Sequence, residues 1–256
     1  MDKSVSKRIK RIQQFLGVPA DGLIGPATLT AIEKKLFKET GTESSLTVSS
    51  TGLKQLVRHE ISSPAYYRKA LSHPVYPGGQ SGVTIGIGYD LGYYTADQIR
   101  RDWGKELGEG DLEKLVVVAG VKGEAARAVL DGVAHVDIDL DTAERVFYQA
   151  ILPRYATMTL KAYPGLDALF PDAQAALLSL VYNRGTRMTG DSRKEMRAIQ
   201  PLVAQQDYSG IADQIIDMKR LWVGRHLDGL LKRRDDEARL VRAANRTYED
   251  SELVHV

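Results

Sequence analysis

Glu60 is the residue of this chain whose setting first indicates chemistry. It follows Leu56 by about one helical turn and precedes the apolar Ile61, so we expect its side chain to lie partly out of water. Removal from water disfavours the charged form of a carboxyl group, which lets such a glutamate keep its proton near neutral pH. A protonated carboxyl group is what acid-catalysed cleavage of a glycosidic bond requires.

A glycine-rich segment, SGVTIGIGYDLG, lies further along the chain between residues 81 and 92. Read as a strand with a period of two, it places apolar side chains on one face and small or polar residues on the other. The apolar face consists of Val83, Ile85, Ile87 and Tyr89. The opposite face consists of Thr84, Gly86, Gly88 and Asp90. Glycines on that face lower the floor of a groove, which favours the binding of a large polymer such as a polysaccharide.

Asp90 supplies a second carboxyl group, in a more polar setting than Glu60. With Thr84 beside it, we expect Asp90 to stay ionised. Two carboxyl groups in unlike environments are the basic requirement of glycoside hydrolysis. Each residue alone is more typical of ordinary structure, since a glutamate at a helix end is usually solvated and an aspartate before Leu-Gly is often a turn residue. The combination is what favours catalysis.

Other chemistries have little support in the sequence. The five histidines form no HxxxH pair and the chain contains no cysteine, so we predict no metal site and no cofactor. Neither a GxSxG motif nor a phosphate-binding P-loop is present. The net charge of +2 gives no reason to expect nucleic-acid binding. No apolar run is long enough to span a membrane, so we expect no stable membrane insertion, and we expect a monomer.

The elements that must position these residues are predicted to be mainly α-helical, with one small β-hairpin or sheet between residues 75 and 92. The helix that carries Glu60 should end near Pro64. Further helices are predicted near 95–104, 111–119, 123–132, 141–161, 171–184, 193–206, 208–218 and 228–245.

The chain is predicted to contain two domains. Residues 1–38 form a small helical unit, because apolar residues recur at helical spacing before Gly17 and a second helix begins at Pro26. Residues 39–50 are rich in Ser, Thr, Glu and Gly and are interpreted as a linker. Residues 51–256 form the larger domain, which contains both carboxyl groups.

The N-terminal segment RIQQFLGVPADGLIGPATLTAI resembles the peptidoglycan-binding type 1 domain, a three-helix module that binds bacterial cell walls. The similarity rests on the Gln-rich helix and on the turn that follows it. The resemblance implies wall-binding positions at Asp21, Gly22, Gly25 and Thr28. The alternative is a generic helical hairpin that docks on the larger domain.

The larger domain resembles the lysozyme-like superfamily, an α+β fold, and in particular the phage-type and pesticin-like muramidases. Phage lysozymes carry a glutamate near the end of a helix and then a Thr-x-Gly-x-Gly hairpin, which fall here on Glu60 and residues 84–88. Their usual aspartate precedes the threonine, where this chain has Gly78. In pesticin-like enzymes the aspartate instead follows the threonine by six residues, and Asp90 fits that pattern.

This resemblance implies a role for each residue. Glu60 would be the general acid, Asp90 and Thr84 would position and activate water, and Gly86 and Gly88 would contact substrate. The apolar segment ending at Tyr182 and Asn183 is similar to the central helix of lysozymes, whose end borders the cleft, so both residues would touch sugar.

A further segment, GLLKRRDDEA at residues 229–238, is similar to a Gly-Leu-x-x-Arg-Arg-x-x-Glu element of phage lysozymes. In that family the element is mainly structural. We therefore expect Arg234 and Glu237 to form an ion pair rather than to take part in catalysis.

The activity implied is that of a muramidase, which hydrolyses the β-1,4 bond between N-acetylmuramic acid and N-acetylglucosamine in peptidoglycan, with inversion favoured. A lytic transglycosylase, which needs a single glutamate, and a noncatalytic wall-binding protein remain alternatives. The charged N-terminus has no apolar stretch behind it, so we expect synthesis in the bacterial cytoplasm and action in the periplasm. A phage endolysin released through holin pores fits this route. A type VI effector with an immunity protein is the alternative.

Overall fold

A computed structural model describes residues 3–25, 28 and 46–256 of the chain. The chain divides into two compact units, Met1–Glu43 and Ser44–Val256. The described residues are mainly helical, as predicted. None of the helices in the described part is both long and apolar enough to cross a membrane.

The first unit contains helix α1, Lys3–Leu16. Of the apolar residues that recur along it, Ile9 is buried, whereas Val5 and Ile12 are 42% and 47% exposed. The fully buried polar residue of this helix is Gln13, whose side chain faces the turn after the helix. The predicted second helix lies outside the described residues, apart from the helical Thr28.

The second unit consists of helices packed around a central one, with two small sheets. Its helices are α2 (Ser50–Ile61), α3 (Pro64–Ala70), α4 (Ala96–Trp103), α5 (Glu109–Val117), α6 (Glu124–Val129), α7 (Leu140–Val146), α8 (Leu152–Ala162), α9 (Pro171–Arg184), α10 (Lys194–Ala204), α11 (Tyr208–Asp217) and α12 (Asp228–Arg242). Its strands are β1 (Thr47–Ser49), β2 (Thr84–Ile85), β3 (Tyr89–Asp90) and β4 (Leu253–His255).

The predicted helices after residue 92 are confirmed within a few residues. The long helix predicted over 141–161 is interrupted, since a π-helical segment, Phe147–Ile151, joins α7 to α8. Pro153 follows at the start of α8, where its missing N–H prevents regular pairing with the preceding turn. Helix α3 was not predicted. It begins at Pro64, which suits a first helical position, and the Ser63 hydroxyl caps it by accepting a hydrogen bond from the Tyr66 N–H at 3.1 Å.

The prediction that residues 39–50 form a linker is wrong for residues 47–50. Strand β1 pairs antiparallel with β4, and α2 begins at Ser50, so the second unit starts before residue 51. Leu46 and Val48 are buried, and the Ser49 hydroxyl caps α2 by accepting from the Gly52 N–H at 3.0 Å. The polar composition concealed this strand because its partner lies at the far end of the chain. Residues 39–45 lie outside the described residues.

The predicted hairpin is present, but it is shorter than a strand through residues 83–90 would be. Thr84 pairs with Asp90 and Ile85 with Tyr89, while residues 86–88 form the turn between them. Gly86 and Gly88 adopt left-handed φ angles of +56° and +69°, which glycine tolerates without steric cost. The prediction of one continuous strand is therefore corrected, because these glycines reverse the chain. The apolar residues Val83, Ile85, Ile87 and Tyr89 are all buried, as predicted.

Helix α9 lies at the centre of the second unit. Every residue from Asp172 to Val181 is buried, so all sides of the helix are covered. Helices α2, α8 and α12 and strand β1 pack against it. This arrangement brings the C-terminal ends of α2 and α9 to the same region as the start of α12.

Candidate active site

Glu60 lies in the last turn of α2, at the boundary between core and solvent. Leu53, Leu56, Val57 and Ile61 of this helix are buried, whereas the Glu60 side chain is 18% exposed. The helix ends at Ser62, whose N–H donates to the Arg58 carbonyl at 2.8 Å. The carboxyl group is therefore carried on a rigid helix yet remains accessible.

Arg233 of α12 holds this carboxyl group. Its Nη1 donates to Glu60 Oε1 at 2.5 Å, and its side chain is only 4% exposed. Its Nη2 donates to the Ser179 carbonyl at 3.0 Å, and its Nε donates to Glu237 Oε1 at 3.3 Å. Burial lowers the pKa of Arg233, but the adjacent carboxylates of Glu60 and Glu237 outweigh burial and raise it overall, so this residue stays charged.

The ion pair continues into the core. Arg234 Nε lies 2.7 Å from Glu237 Oε2, which confirms the predicted pairing of these two residues. The Ser179 hydroxyl donates to Glu237 Oε1 at 2.7 Å. The four charges alternate in the order Glu60, Arg233, Glu237, Arg234, and their formal sum is zero. Buried charges require such compensation because each is costly when left unpaired.

The expectation that the Glu60 side chain lies partly out of water is confirmed, since it is 18% exposed. Its carboxyl group has a buried cation as its partner instead of apolar neighbours alone. Arg233 is separated from Glu60 by 173 positions in the sequence, so local spacing gave no indication of the contact. The available signal is the Arg-Arg pair of α12, because Arg233 stands directly before Arg234 as a second candidate cation.

The tip of the hairpin reaches Glu60 at Gly88. A Cβ atom at Gly88 would lie 3.0 Å from Glu60 Oε2 and 3.4 Å from the Tyr182 hydroxyl oxygen. That hydroxyl donates to the Ile87 carbonyl at 2.6 Å, which ties the tip to the end of α9. The structure thus brings together Glu60, Gly88 and Tyr182, three of the residues proposed from the sequence.

Gly86 has a different environment from Gly88. It is buried, and a Cβ atom there would lie 2.8 Å from the Trp103 ring. Gly88 is exposed. The prediction that both glycines share one open face is corrected, because the turn directs Gly86 towards the core.

Asp90 lies at the base of the hairpin, directly opposite Thr84. Its Oδ1 accepts hydrogen bonds from the N–H groups of Gly82 and Gly92, both at 2.9 Å. Burial raises the pKa of Asp90, although these two hydrogen bonds and nearby Lys122 lower it in part. Asp90 therefore holds the backbone at the base of the hairpin, in addition to its predicted role in positioning water. It is also more buried than we expected for a residue on the polar floor of a groove.

A cleft of about 590 Å³ opens beside Glu60. Arg233 and Asn183 also line it, as does the loop that leads into α12, including His226 and Leu227. Asn183 is exposed, as a residue that contacts a ligand must be. Thr84, Gly86, Gly88, Asp90 and Tyr182 are not among the residues that line this cleft.

The wall-binding positions predicted in the first unit are joined by Gln13. Its Nε2 lies within hydrogen-bonding distance of Asp21 Oδ1 (2.7 Å) and Thr28 Oγ1 (2.9 Å), and its Oε1 accepts from the Gly22 N–H at 2.8 Å. Gly22 has a φ of +81°, and a Cβ atom there would lie 2.5 Å from the Ser6 hydroxyl. Gly25 makes no comparably close approach. Three of the four positions therefore fix the turn itself.

No protein-family model matches the chain, and no curated protein matches it.

The contact between Gly88 and Glu60 can be measured with two alanine substitutions. Gly88→Ala and Gly120→Ala introduce the same strain, since Gly120 has a φ of +74° and open space around it. We expect Gly88→Ala to lose about 1–3 kcal/mol more unfolding free energy, because its methyl group crowds a fixed carboxylate. Urea denaturation checks this difference. Repeating it in a Glu60→Ala background should remove most of the excess, and equal losses in the original background would show that no such contact exists.

Removing the guanidinium of Arg233 should be costly. Arg233→Leu leaves Glu60 and Glu237 without their shared cation, and we expect a loss of about 3–5 kcal/mol in unfolding free energy. Arg239→Leu, on the same helix with a 70% exposed side chain, is the matched control and should cost under about 1 kcal/mol. Similar melting temperatures for the two variants would contradict the central role of the pair.

Asp90→Asn separates the charge of this residue from its hydrogen bonds. The asparagine Oδ1 can still accept from both N–H groups, whereas Asp90→Ala leaves both unpaired, at about 1–3 kcal/mol each. Burial raises the pKa of Asp90 above its ordinary value of 3.8, so the folded state binds this proton more tightly than the unfolded state does. The unfolding free energy of the wild type therefore decreases as the pH rises above 3.8. The stability of Asp90→Asn relative to wild type should therefore increase above pH 3.8 and show no such gain below it. Denaturation at a series of pH values tests this, and a gain confined to acid would contradict it.

Proposed function

We propose that the second unit is a lysozyme-like muramidase that hydrolyses the β-1,4 bond between N-acetylmuramic acid and N-acetylglucosamine. The observation that carries the proposal is the placement of the two oxygens of the Glu60 carboxyl group. Arg233 fixes its Oε1, while its Oε2 faces the exposed hairpin tip at Gly88, beside an open cleft. One oxygen is thus held for orientation, and the other is not engaged by Arg233.

The proton donor in this proposal is Glu60. Its Oε2 gives a proton to the glycosidic oxygen as the bond to the anomeric carbon breaks, and the carboxylate that remains is stabilised by Arg233. A carboxylate produced beside a fixed guanidinium needs little reorganisation of its surroundings. Arg233 is thus a positioning residue that acts through Glu60.

Asp90 and Thr84 are assigned the positioning of water. In the described residues, Asp90 Oδ2 accepts no hydrogen bond, since both of the backbone contacts go to Oδ1. Water attacks the anomeric carbon and gives its proton to Asp90, and inversion follows from attack on the face opposite the leaving oxygen. Tyr182 and Asn183 are assigned sugar contacts, and Gly88 gives the sugar access to Glu60.

The first unit is assigned wall binding. Gln13 fixes the turn at Asp21 and joins it to the helical Thr28, so these residues have defined positions. Such a unit would keep the enzyme near its insoluble substrate and raise its effective concentration there. We propose a phage endolysin as its biological setting.

Glu60→Gln tests the proposal. Glutamine keeps an oxygen that can accept from Arg233, so the fold should persist, but it cannot donate an acidic proton. We expect loss of sacculus turbidity to slow by about 100-fold or more. Glu109→Gln is the control, because Glu109 is exposed and lies away from the cleft lining.

The products define the reaction further. Wild-type enzyme should release muropeptides with reducing ends, detected by mass spectrometry. Anhydro ends would instead identify a lytic transglycosylase. Full activity of Glu60→Gln would remove Glu60 from the mechanism, and wild-type binding to sacculi without any product would identify a noncatalytic wall-binding protein.

A further inference from the structure

A second groove of about 380 Å³ lies between α2 and α12. Four of the residues that line it are cations: Lys54, Arg58, Lys232 and Arg239. The single acidic residue in the lining is Asp236. We refer to this feature as the basic groove.

Asp236 neutralises only part of this charge. It pairs with Lys232 at 2.7 Å and with Arg239 at 2.8 Å, both on α12 itself, and His59 Nε2 of α2 lies 3.2 Å from it. Lys54 and Arg58 on α2 are exposed, and no carboxylate of the described residues forms an ion pair with either. The basic groove therefore carries an excess of positive charge on its α2 side.

The spacing of Lys54 and Arg58 works against helix stability. They are four residues apart, so their side chains are neighbours on one face of α2, where like charges destabilise a helix. The stability of α2 therefore does not explain why two cations occupy these neighbouring positions. An anionic ligand would compensate both charges at once.

The basic groove is continuous with the cleft beside Glu60. Arg58 and Lys232 line both. A third depression, of about 220 Å³, adjoins Arg58 on its other side. It has a mixed lining, in which Val57, Ile61, Pro64 and Tyr148 stand beside the polar residues Lys54, Ser62, Ser63 and Glu144. A ligand that leaves the cleft over Arg58 would meet the basic groove on one side and, on the other, a small depression that combines apolar residues with Lys54 and Glu144.

We infer that the basic groove binds the stem peptide of peptidoglycan through its free carboxylates. This inference rests on the proposed function, since the cleft must hold the sugar strand. The strand is uncharged where its muramic acid carboxyl groups are joined to peptide, so its charge lies on the peptide carboxylates. The methyl groups of the alanine residues in the same peptide can pack on Val57, Ile61 and Pro64 in the third depression. The substrate class is therefore glycan that carries peptide, and Lys54 and Arg58 determine specificity for it.

The test is a binding measurement in the full-length chain with Glu60→Gln, so that substrate persists. Sacculi free of phosphate polymers are compared with the same sacculi after carbodiimide amidation, which converts carboxylates into neutral amides. Lys54→Gln/Arg58→Gln is the groove variant. Arg101→Gln/Lys105→Gln is the control, because it removes the same two charges at the same spacing from exposed positions elsewhere.

We expect the groove variant to bind native sacculi about 2- to 10-fold more weakly than the Glu60→Gln parent. On amidated sacculi, the groove variant and the parent should bind equally. The control should bind like the parent. The charge-conserving Lys54→Arg/Arg58→Lys should restore binding. The difference should shrink at high salt, since exposed charges are screened.

Two outcomes would overturn the inference. Equal binding of the groove variant and the parent would show that the basic groove does not contact the wall. An equal loss on native and amidated sacculi would show that it does not recognise carboxylates. Both outcomes concern binding and do not test hydrolysis. Failure of the proposed function would be seen separately, because the wild-type enzyme, which retains Glu60, would release no product.

Discussion

The ion pair between Glu60 and Arg233 is the constraint on which the rest of the site depends. A guanidinium removed from water is stable only when its donors are satisfied, and Arg233 meets this need with Glu60, Glu237 and Ser179. These partners lie on α2, α12 and α9. The relative positions of three helices are therefore fixed by one side chain, and the carboxyl group is fixed with them.

The hairpin adapts to this fixed point. With Glu60 Oε1 held by Arg233, Oε2 has a defined position, and the residue facing it must have no side chain. Gly88 satisfies that requirement and also adopts the left-handed φ of the turn. The Tyr182 hydroxyl then fastens the tip through the Ile87 carbonyl. The fixed carboxyl group of Glu60, the absence of a side chain at Gly88 and the attachment of the hairpin tip to α9 are thus linked to one buried contact.

Local patterns predicted the features that depend on neighbouring residues. Helical spacing located α9 and α12. The pairing of Arg234 with Glu237 was expected from the resemblance of residues 229–238 to an element of phage lysozymes, and it joins two residues one helical turn apart. Contacts between distant segments were not predictable in this way. The Arg233 contact with Glu60 and the pairing of β1 with β4 each join segments far apart in sequence. The orientation of Gly86 was missed for a related reason, since period-two alternation assumes that the chain does not turn.

The distribution of charge separates structural from functional cations. Inside the second unit, Arg233 and Arg234 are balanced by Glu60 and Glu237, because an uncompensated charge cannot be tolerated away from water. On the outer face of α2, solvent relaxes that requirement, and Lys54 has no carboxylate partner among the described residues although it lies next to a like charge. A charge that the fold neither needs nor neutralises is the kind available to a ligand. The same helix therefore presents its compensated carboxyl group to the cleft and its uncompensated cations to the groove beside it.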